Sequence, residues 1–278
     1  MSPSTSLNEQ IKQHYTKHDL GSAVLAALAN AGEDVDNLEP EDLAPIDEFH
    51  IRGRQATLDL ARAADLDATK RILDVGSGLG GPSRCIAREC GCSVTGIDLT
   101  DEYCRVATML AERVGLSQLV SYRQGDALDL PFPDGTFDVV WTQHTAMNIP
   151  DKATLYREAF RVLKPGGKLA IYDILAGPEG PIFFPVPWAR EPGTSFLVTP
   201  EQLRRHLEES GFEITRWEDT TQAAREWFES LAGKFQQNGP PPLGFNVLLG
   251  PDFQTMAQNQ RRSLEEGRMV LAQVVARR

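Results

Sequence analysis

The chain has 278 residues, 41% of them hydrophobic and 24% charged, an ordinary globular balance with room for one large domain or a domain with a cap. A formal net charge of -11 without any basic stripe argues against duplex or RNA binding. No run approaches the ~18 apolar residues of a membrane helix, and the polar start MSPSTSLNEQIKQHY is unlike a secretory signal, so a cytoplasmic location is expected.

In chain order, residues 1–70 read as a helical cap. GSAVLAALANAG and RQATLDLARAADL carry apolar residues at helical spacing. The acidic run from Glu33 to Glu48 between them contains no Lys or Arg and reads as a solvated connection. Residues 71–278 read as the main domain. RILDVG is a strand, and PSRCIAREC a helix with Pro82 in its first turn. CSVTGIDL, VSYRQGD, FDVVWTQ and KLAIYDIL are further strands, with DEYCRVATMLAERVG and DKATLYREAFRVLKPGG as helices among them. This alternation predicts an α/β fold with a doubly wound, parallel, Rossmann-like sheet. Beyond it, lid insertions are expected at about 177–200, rich in Pro and Gly, and at about 221–267, where the helices QAAREWFESLAGKFQQ and TMAQNQRRSLEEG flank the Pro/Gly loop NGPPPLGFNVLLGPD. A helix opening on Thr199 as N-cap lies between them, followed by the strand FEITRWEDT, and MVLAQVVARR closes the chain as a strand. The four cysteines, Cys85, Cys90, Cys92 and Cys104, complete no zinc spacing, so buried reduced thiols and no metal are expected.

The stretch LDVGSGLGG contains Gly76, Gly78 and Gly81, which satisfy the dinucleotide fingerprint G-x-G-x-x-G. Its neighbours point elsewhere. Asp74, two residues before Gly76, would repel a pyrophosphate but attract an ammonium group. The helix N-terminus after the glycines suits a carboxylate. An amino-acid zwitterion satisfies both, and S-adenosylmethionine has that tail. Asp98 follows the glycines by about twenty residues, the interval at which an acid reaches a ribose diol. Leu99 offers an apolar surface beside it. Asp126 stands just past a strand, where its carboxylate can accept from an adenine amino group, and Ala127 can present its N–H to the ring.

The set LDVGSGLGG, GIDLT, GDALDLPFPDGTFDVV and VLKPGGKL resembles the class I S-adenosylmethionine-dependent methyltransferases from Arg71 to Ala176, in order and in spacing. The GLGGPSR version resembles their small-molecule group, the ubiquinone, sterol and tocopherol methyltransferase-like enzymes. The resemblance implies a seven-stranded sheet whose last strand is antiparallel. It implies S-adenosylmethionine as cofactor and S-adenosylhomocysteine as product. It also implies that Asp74, Gly76, Ser77, Gly78 and Gln143 surround the methionine moiety, Asp98 and Leu99 the ribose and adenine, and Asp126 and Ala127 the adenine edge. The function expected is methyl transfer to a nitrogen, oxygen or carbon atom of a small organic acceptor, with no nucleic-acid or membrane partner and a homodimer as one possible assembly. A catalytically silent cofactor-binding module and an NAD-dependent oxidoreductase are the alternatives. The second lacks a Tyr-x-x-x-Lys or comparable hydride site.

Methyl transfer from a sulfonium needs alignment and exclusion of water, and a base only when the acceptor must lose a proton. His144, next to Gln143, is the candidate base, with a hydrogen-bonded structural role as the competing reading. His50 in DEFHIRGRQAT, Asn148, Tyr172 and Trp188 are the candidate acceptor contacts. Phe49 reads as core. Phe183 and Phe184 join Trp188 in PIFFPVPWA, which either walls an acceptor pocket or covers a sheet edge or a dimer contact.

Overall fold

The computed structural model describes residues 3–15, 19–238 and 243–278. Residues 1 and 2 of the polar start and residues 239–242 of the second Pro/Gly segment lie outside the described residues. Helices α1 (Pro3–Tyr15), α2 (Leu20–Ala31), the short α3 (Ala44–Asp47) and α4 (Gly53–Ala63) precede the first strand. The alternation then runs β1 (Arg71–Val75), α5 (Gly81–Cys90), β2 (Ser93–Asp98), α6 (Asp101–Arg113), β3 (Val120–Gln124), β4 (Phe137–Gln143), α7 (Lys152–Val162) and β5 (Leu163–Ala176). After it come α8 (Pro200–Glu209), β6 (Glu213–Asp219), α9 (Thr221–Asn238), the short α10 (Asn246–Leu249), α11 (Phe253–Glu265) and β7 (Met269–Arg277).

The seven strands form one sheet in the order β3-β2-β1-β4-β5-β7-β6. The pairs among β1 to β5 are parallel, and β7 runs antiparallel between β5 and β6. The expected doubly wound sheet with a reversed strand is therefore present. Apolar strands buried on both sides explain it. Ile72, Trp141 and Tyr172 belong to the core on one face, and Leu73, Val75, Val140 and Ile171 to the core on the other. Helix α8 begins on the expected Thr199, whose hydroxyl accepts from Gln202 N while the Gln202 side chain accepts from Thr199 N, a capping box. Helix α7 stops at Val162, within the helical stretch expected for DKATLYREAFRVLKPGG, ahead of Pro165, which drives the residue before it out of helical geometry. The cysteines are unbridged, with Cys85, Cys92 and Cys104 buried.

A third core lies against α6 and the glycine turn, built by Leu20, Val24 and Leu28 of α2, Leu248 of α10 and Met256 of α11. The acidic run belongs to this core, which corrects the expectation of a solvated connection. Leu38, Leu43 and Ile46 are buried, and so are Asp47 and Glu48 at its end. Its charged residues mostly face water while an apolar residue recurs every few positions to hold the segment down.

Candidate functional site

Strand order reverses between β1 and β4, which makes the crevice beyond their carboxyl ends a topological switch point. The glycine turn leaves β1 there. Gly76 N and Ser77 N donate to Ile97 O at 2.8 and 3.1 Å, which ties the turn to the end of β2. Gly76 has φ +75°, and a Cβ on it would fall 2.3 Å from Thr145 Cγ2. Only glycine serves this position, on grounds of both conformation and space. Gly78 N donates to Asp98 Oδ2 at 3.0 Å and Thr100 N to Asp98 Oδ1 at 2.9 Å. Burial pushes the Asp98 carboxyl above its usual range, and those two N–H groups oppose the shift.

A cavity opens on this turn. Gly76, Ser77, Gly78, Asp98, Leu99, Asp126, Ala127 and Gln143 all line it, as do His50, His144 and Asn148. Asp74 is not in the lining. It is buried beneath the turn, accepting from Ser83 Oγ at 2.6 Å, and burial lifts its carboxyl to about 7. Its observed role is to anchor the start of α5 under the glycines.

The polar residues on the acceptor side differ in what remains free. The Gln143 amide oxygen accepts from Trp141 Nε1 at 2.9 Å and Thr57 Oγ1 at 3.3 Å, and its nitrogen lies 3.2 Å from His50 Nε2. Asn148 accepts from Tyr15 Oη at 3.1 Å and donates to the carbonyls of Trp188 and Thr194. His144 adopts φ +50°, unusual outside glycine. Its Nδ1 lies 3.2 Å from Tyr172 O, and its Nε2 accepts from Ile51 N at 3.4 Å. Both ring nitrogens thus face protein partners, and burial lowers its pKa to about 4. This geometry favours the structural role for His144 over the base.

Tyr172 and Trp188 are absent from the lining. Tyr172 is fully buried, its ring packed at 4.8 Å and tilted by 51° against that of His144. Trp188 is buried, its Nε1 donating to Ser195 Oγ at 3.0 Å. Phe183 lies between the guanidinium groups of Arg262 and Arg268, at 3.8 and 4.3 Å, and Phe184 packs on the sheet core. The first insertion therefore covers the sheet and supports the cavity from behind rather than walling it. Its links to the site are the carbonyls of Trp188 and Thr194, which accept from Asn148 Nδ2 at 2.8 and 2.9 Å, and Pro187 O, 3.0 Å from His14 Nε2 of α1.

The wall residues that the sequence did not single out come from α1, from residues 46–49 and from α10. Asn8, Ile11 and Tyr15 of α1 line the cavity together with Ile46, Phe49 and Leu248. Phe49, expected in the core, faces the cavity while its ring packs at 4.8 Å on Phe245. The i, i+3, i+7 spacing of Asn8, Ile11 and Tyr15 was the signal available for α1. Residues 46–49 are locked down by Arg84, whose guanidinium binds the Asp47 carboxylate in a pair almost wholly buried. Gly81 permits the approach, since a Cβ there would fall 1.7 Å from Asp47 O.

The residues present fit an adenosyl ligand with an amino-acid tail. Asp98 turns a carboxylate, already fixed by two N–H donors, toward the cavity. Asp126 already receives an N–H donor from the cavity side, because the Asn8 amide Nδ2 donates to its Oδ2 at 3.1 Å. Ser77 Oγ is buried beside the glycines with no partner among the described residues.

Comparisons with known proteins agree with this geometry. A methyltransferase domain matches residues 73–171. The sterol 24-C-methyltransferase erg6 of Aspergillus fumigatus is 33% identical over 66% of this chain and 50% of its own. The 27-O-demethylrifamycin SV methyltransferase of Amycolatopsis mediterranei is 33% identical over 64% of this chain and 66% of its own. The chain thus spans between half and two thirds of these curated relatives. The crystal structure of the [4+2]-cyclase SpnF is 28% identical, with TM-score 0.67, over 98% of this chain and 96% of that one.

Proposed function

The chain belongs to the class I S-adenosylmethionine-dependent methyltransferases, and on that premise we propose that it moves a methyl group from S-adenosylmethionine to a small organic acceptor. The observation that carries this reading is the convergence of the glycine turn, Asp98 and Asp126 on one cavity at the switch point. The cofactor supplies an activated sulfonium methyl group. Asp98 receives the ribose hydroxyls, and Gly78 N keeps its carboxylate aimed. Leu99 covers one face of the adenine. Asp126 exchanges the Asn8 amide for the adenine amino group, and Ala127 offers its N–H to the ring edge. Gln143, held by Trp141 and Thr57, faces the methionine end. Helix α1 and residues 46–50 keep water from the reacting atoms, which strengthens every polar interaction inside.

The acceptor is tested with methyl-labelled S-adenosylmethionine and a panel of small hydroxylated, amine and olefinic compounds. Label recovered in one small product is the expected result. A second reading is favoured by the match to a [4+2]-cyclase over nearly the whole chain. In that reading the same cavity folds a polyene for ring closure. A cyclised product without label from a diene–dienophile substrate, and no labelled product from any acceptor, would select it.

A further inference from the structure

We infer that the acceptor is an uncharged, mostly apolar molecule whose single hydrogen-bond donor is received by Nδ1 of His50. The inference rests on the methyltransferase reading above. The first support is charge. Among the described lining residues there is no Lys and no Arg, while Asp47, Asp98 and Asp126 are present. An anion entering this cavity would meet the carboxylates of Asp98 and Asp126, an Asp47 already paired with Arg84, and no free cation among the described lining residues. Desolvating an anion there is unfavourable without a partner. The apolar wall of Ile11, Ile46, Phe49 and Leu248 suits hydrocarbon instead.

The second support is the hydrogen-bond inventory at the acceptor end. The amides of Gln143 and Asn148 and both nitrogens of His144 face protein partners, as described above. The Thr145 hydroxyl donates to the Val75 and Gln143 carbonyls. His50 is different. Its Nε2 lies nearest Gly53 O, at 3.0 Å, a carbonyl that can only accept; Gln143 Nε2 and Thr57 Oγ1 follow at 3.2 Å and Glu48 Oε2 at 3.4 Å, and the nearest contact assigns the ring proton to Nε2. Nδ1 then carries the lone pair, and no described residue bonds to it. Burial keeps this imidazole neutral at physiological pH, and the rings of His144 and Tyr172, each 5.9 Å away, fix its orientation. One oriented acceptor in an apolar chamber selects one donor, a hydroxyl or an N–H.

Two amide variants separate the ring nitrogens, because a Gln amide reaches the position of Nε2 and an Asn amide that of Nδ1. The protein is first saturated with S-adenosylhomocysteine, and failure of that binding would strike the cofactor reading and not this one. Farnesol and 1-naphthol are then titrated against farnesyl phosphate and 1-naphthyl phosphate. The alcohols are expected to bind and the phosphates to bind more weakly. His50→Gln should weaken the alcohols about tenfold, the scale of one lost hydrogen bond, with S-adenosylhomocysteine affinity retained. His50→Asn should keep most alcohol binding while lowering the melting temperature. In 15N spectra of the native protein, His50 should be the Nε2–H tautomer, with the Nδ1 signal moving when an alcohol is added. A protonated Nδ1, phosphates binding better than their alcohols, or no alcohol binding to the S-adenosylhomocysteine complex would overturn the inference.

Discussion

Each oxygen of the Asp98 carboxylate accepts one backbone N–H, from Gly78 and from Thr100, and keeps a lone pair for the cavity. Losing a charged acceptor of the ribose costs about 1.5–3 kcal/mol. Asp98→Ala should therefore weaken S-adenosylhomocysteine binding roughly tenfold or more, measured by titration calorimetry with circular dichroism as the check on folding. An unchanged dissociation constant would remove Asp98 from the ribose. His144 gives the opposite expectation. A general base contributes about 10²–10⁴-fold to a rate, but both nitrogens of this histidine already have protein partners. With an acceptor in hand, His144→Ala should lower turnover only modestly and at all pH values alike. A loss on the scale of a base, with a limb near neutrality abolished, would restore its catalytic role.

Residues 44–53 act as an element because several buried polar groups fix them together. Arg84 grips Asp47, and Thr57 Oγ1 donates to Glu48 Oε2 at 2.7 Å. Burial raises the Glu48 carboxyl to about 8 from its ordinary 4.5, the Thr57 bond opposing the shift. As pH rises above 4.5 the unfolded chain releases this proton while the folded chain still holds it, so unfolding gains until pH reaches about 8. Glu48→Gln keeps the acceptor for Thr57 and removes the proton. Its melting temperature should gain on that of the native protein as pH is raised through this window, the gap closing at lower pH. A gap independent of pH would show that Glu48 is not held protonated in the fold.

At the scale of the whole molecule, what was legible in the sequence follows contact range. The glycine turn, Asp98, Asp126 and Gln143 each sit at or just beyond the end of a strand, so chain order and the rules of parallel sheets suffice to gather them at one edge. Asp74 lies outside the cavity lining because Ser83 claims its carboxylate, a contact that its neighbours in the strand could not reveal. Tyr172 lies outside the lining because its side chain in β5 turns into the core of the sheet. Trp188 lies outside it too, in a Pro-rich, aromatic segment that reads alike whether it lines a pocket or lies on the sheet. Only tertiary packing, with Trp188 bonded to Ser195 and Phe183 held by Arg262 and Arg268, distinguishes the two. The acceptor wall was the least legible part. Ile11 and Leu248 lie more than two hundred residues apart in the sequence, and nothing local couples them.

The switch-point cavity between β1 and β4 is the place where S-adenosylmethionine is expected to bind. Titration calorimetry of the intact protein with S-adenosylmethionine tests it most directly. The account predicts saturable binding at a single site, competed by S-adenosylhomocysteine and indifferent to NADH. Tight binding of NADH with no response to either sulfur ligand would contradict it.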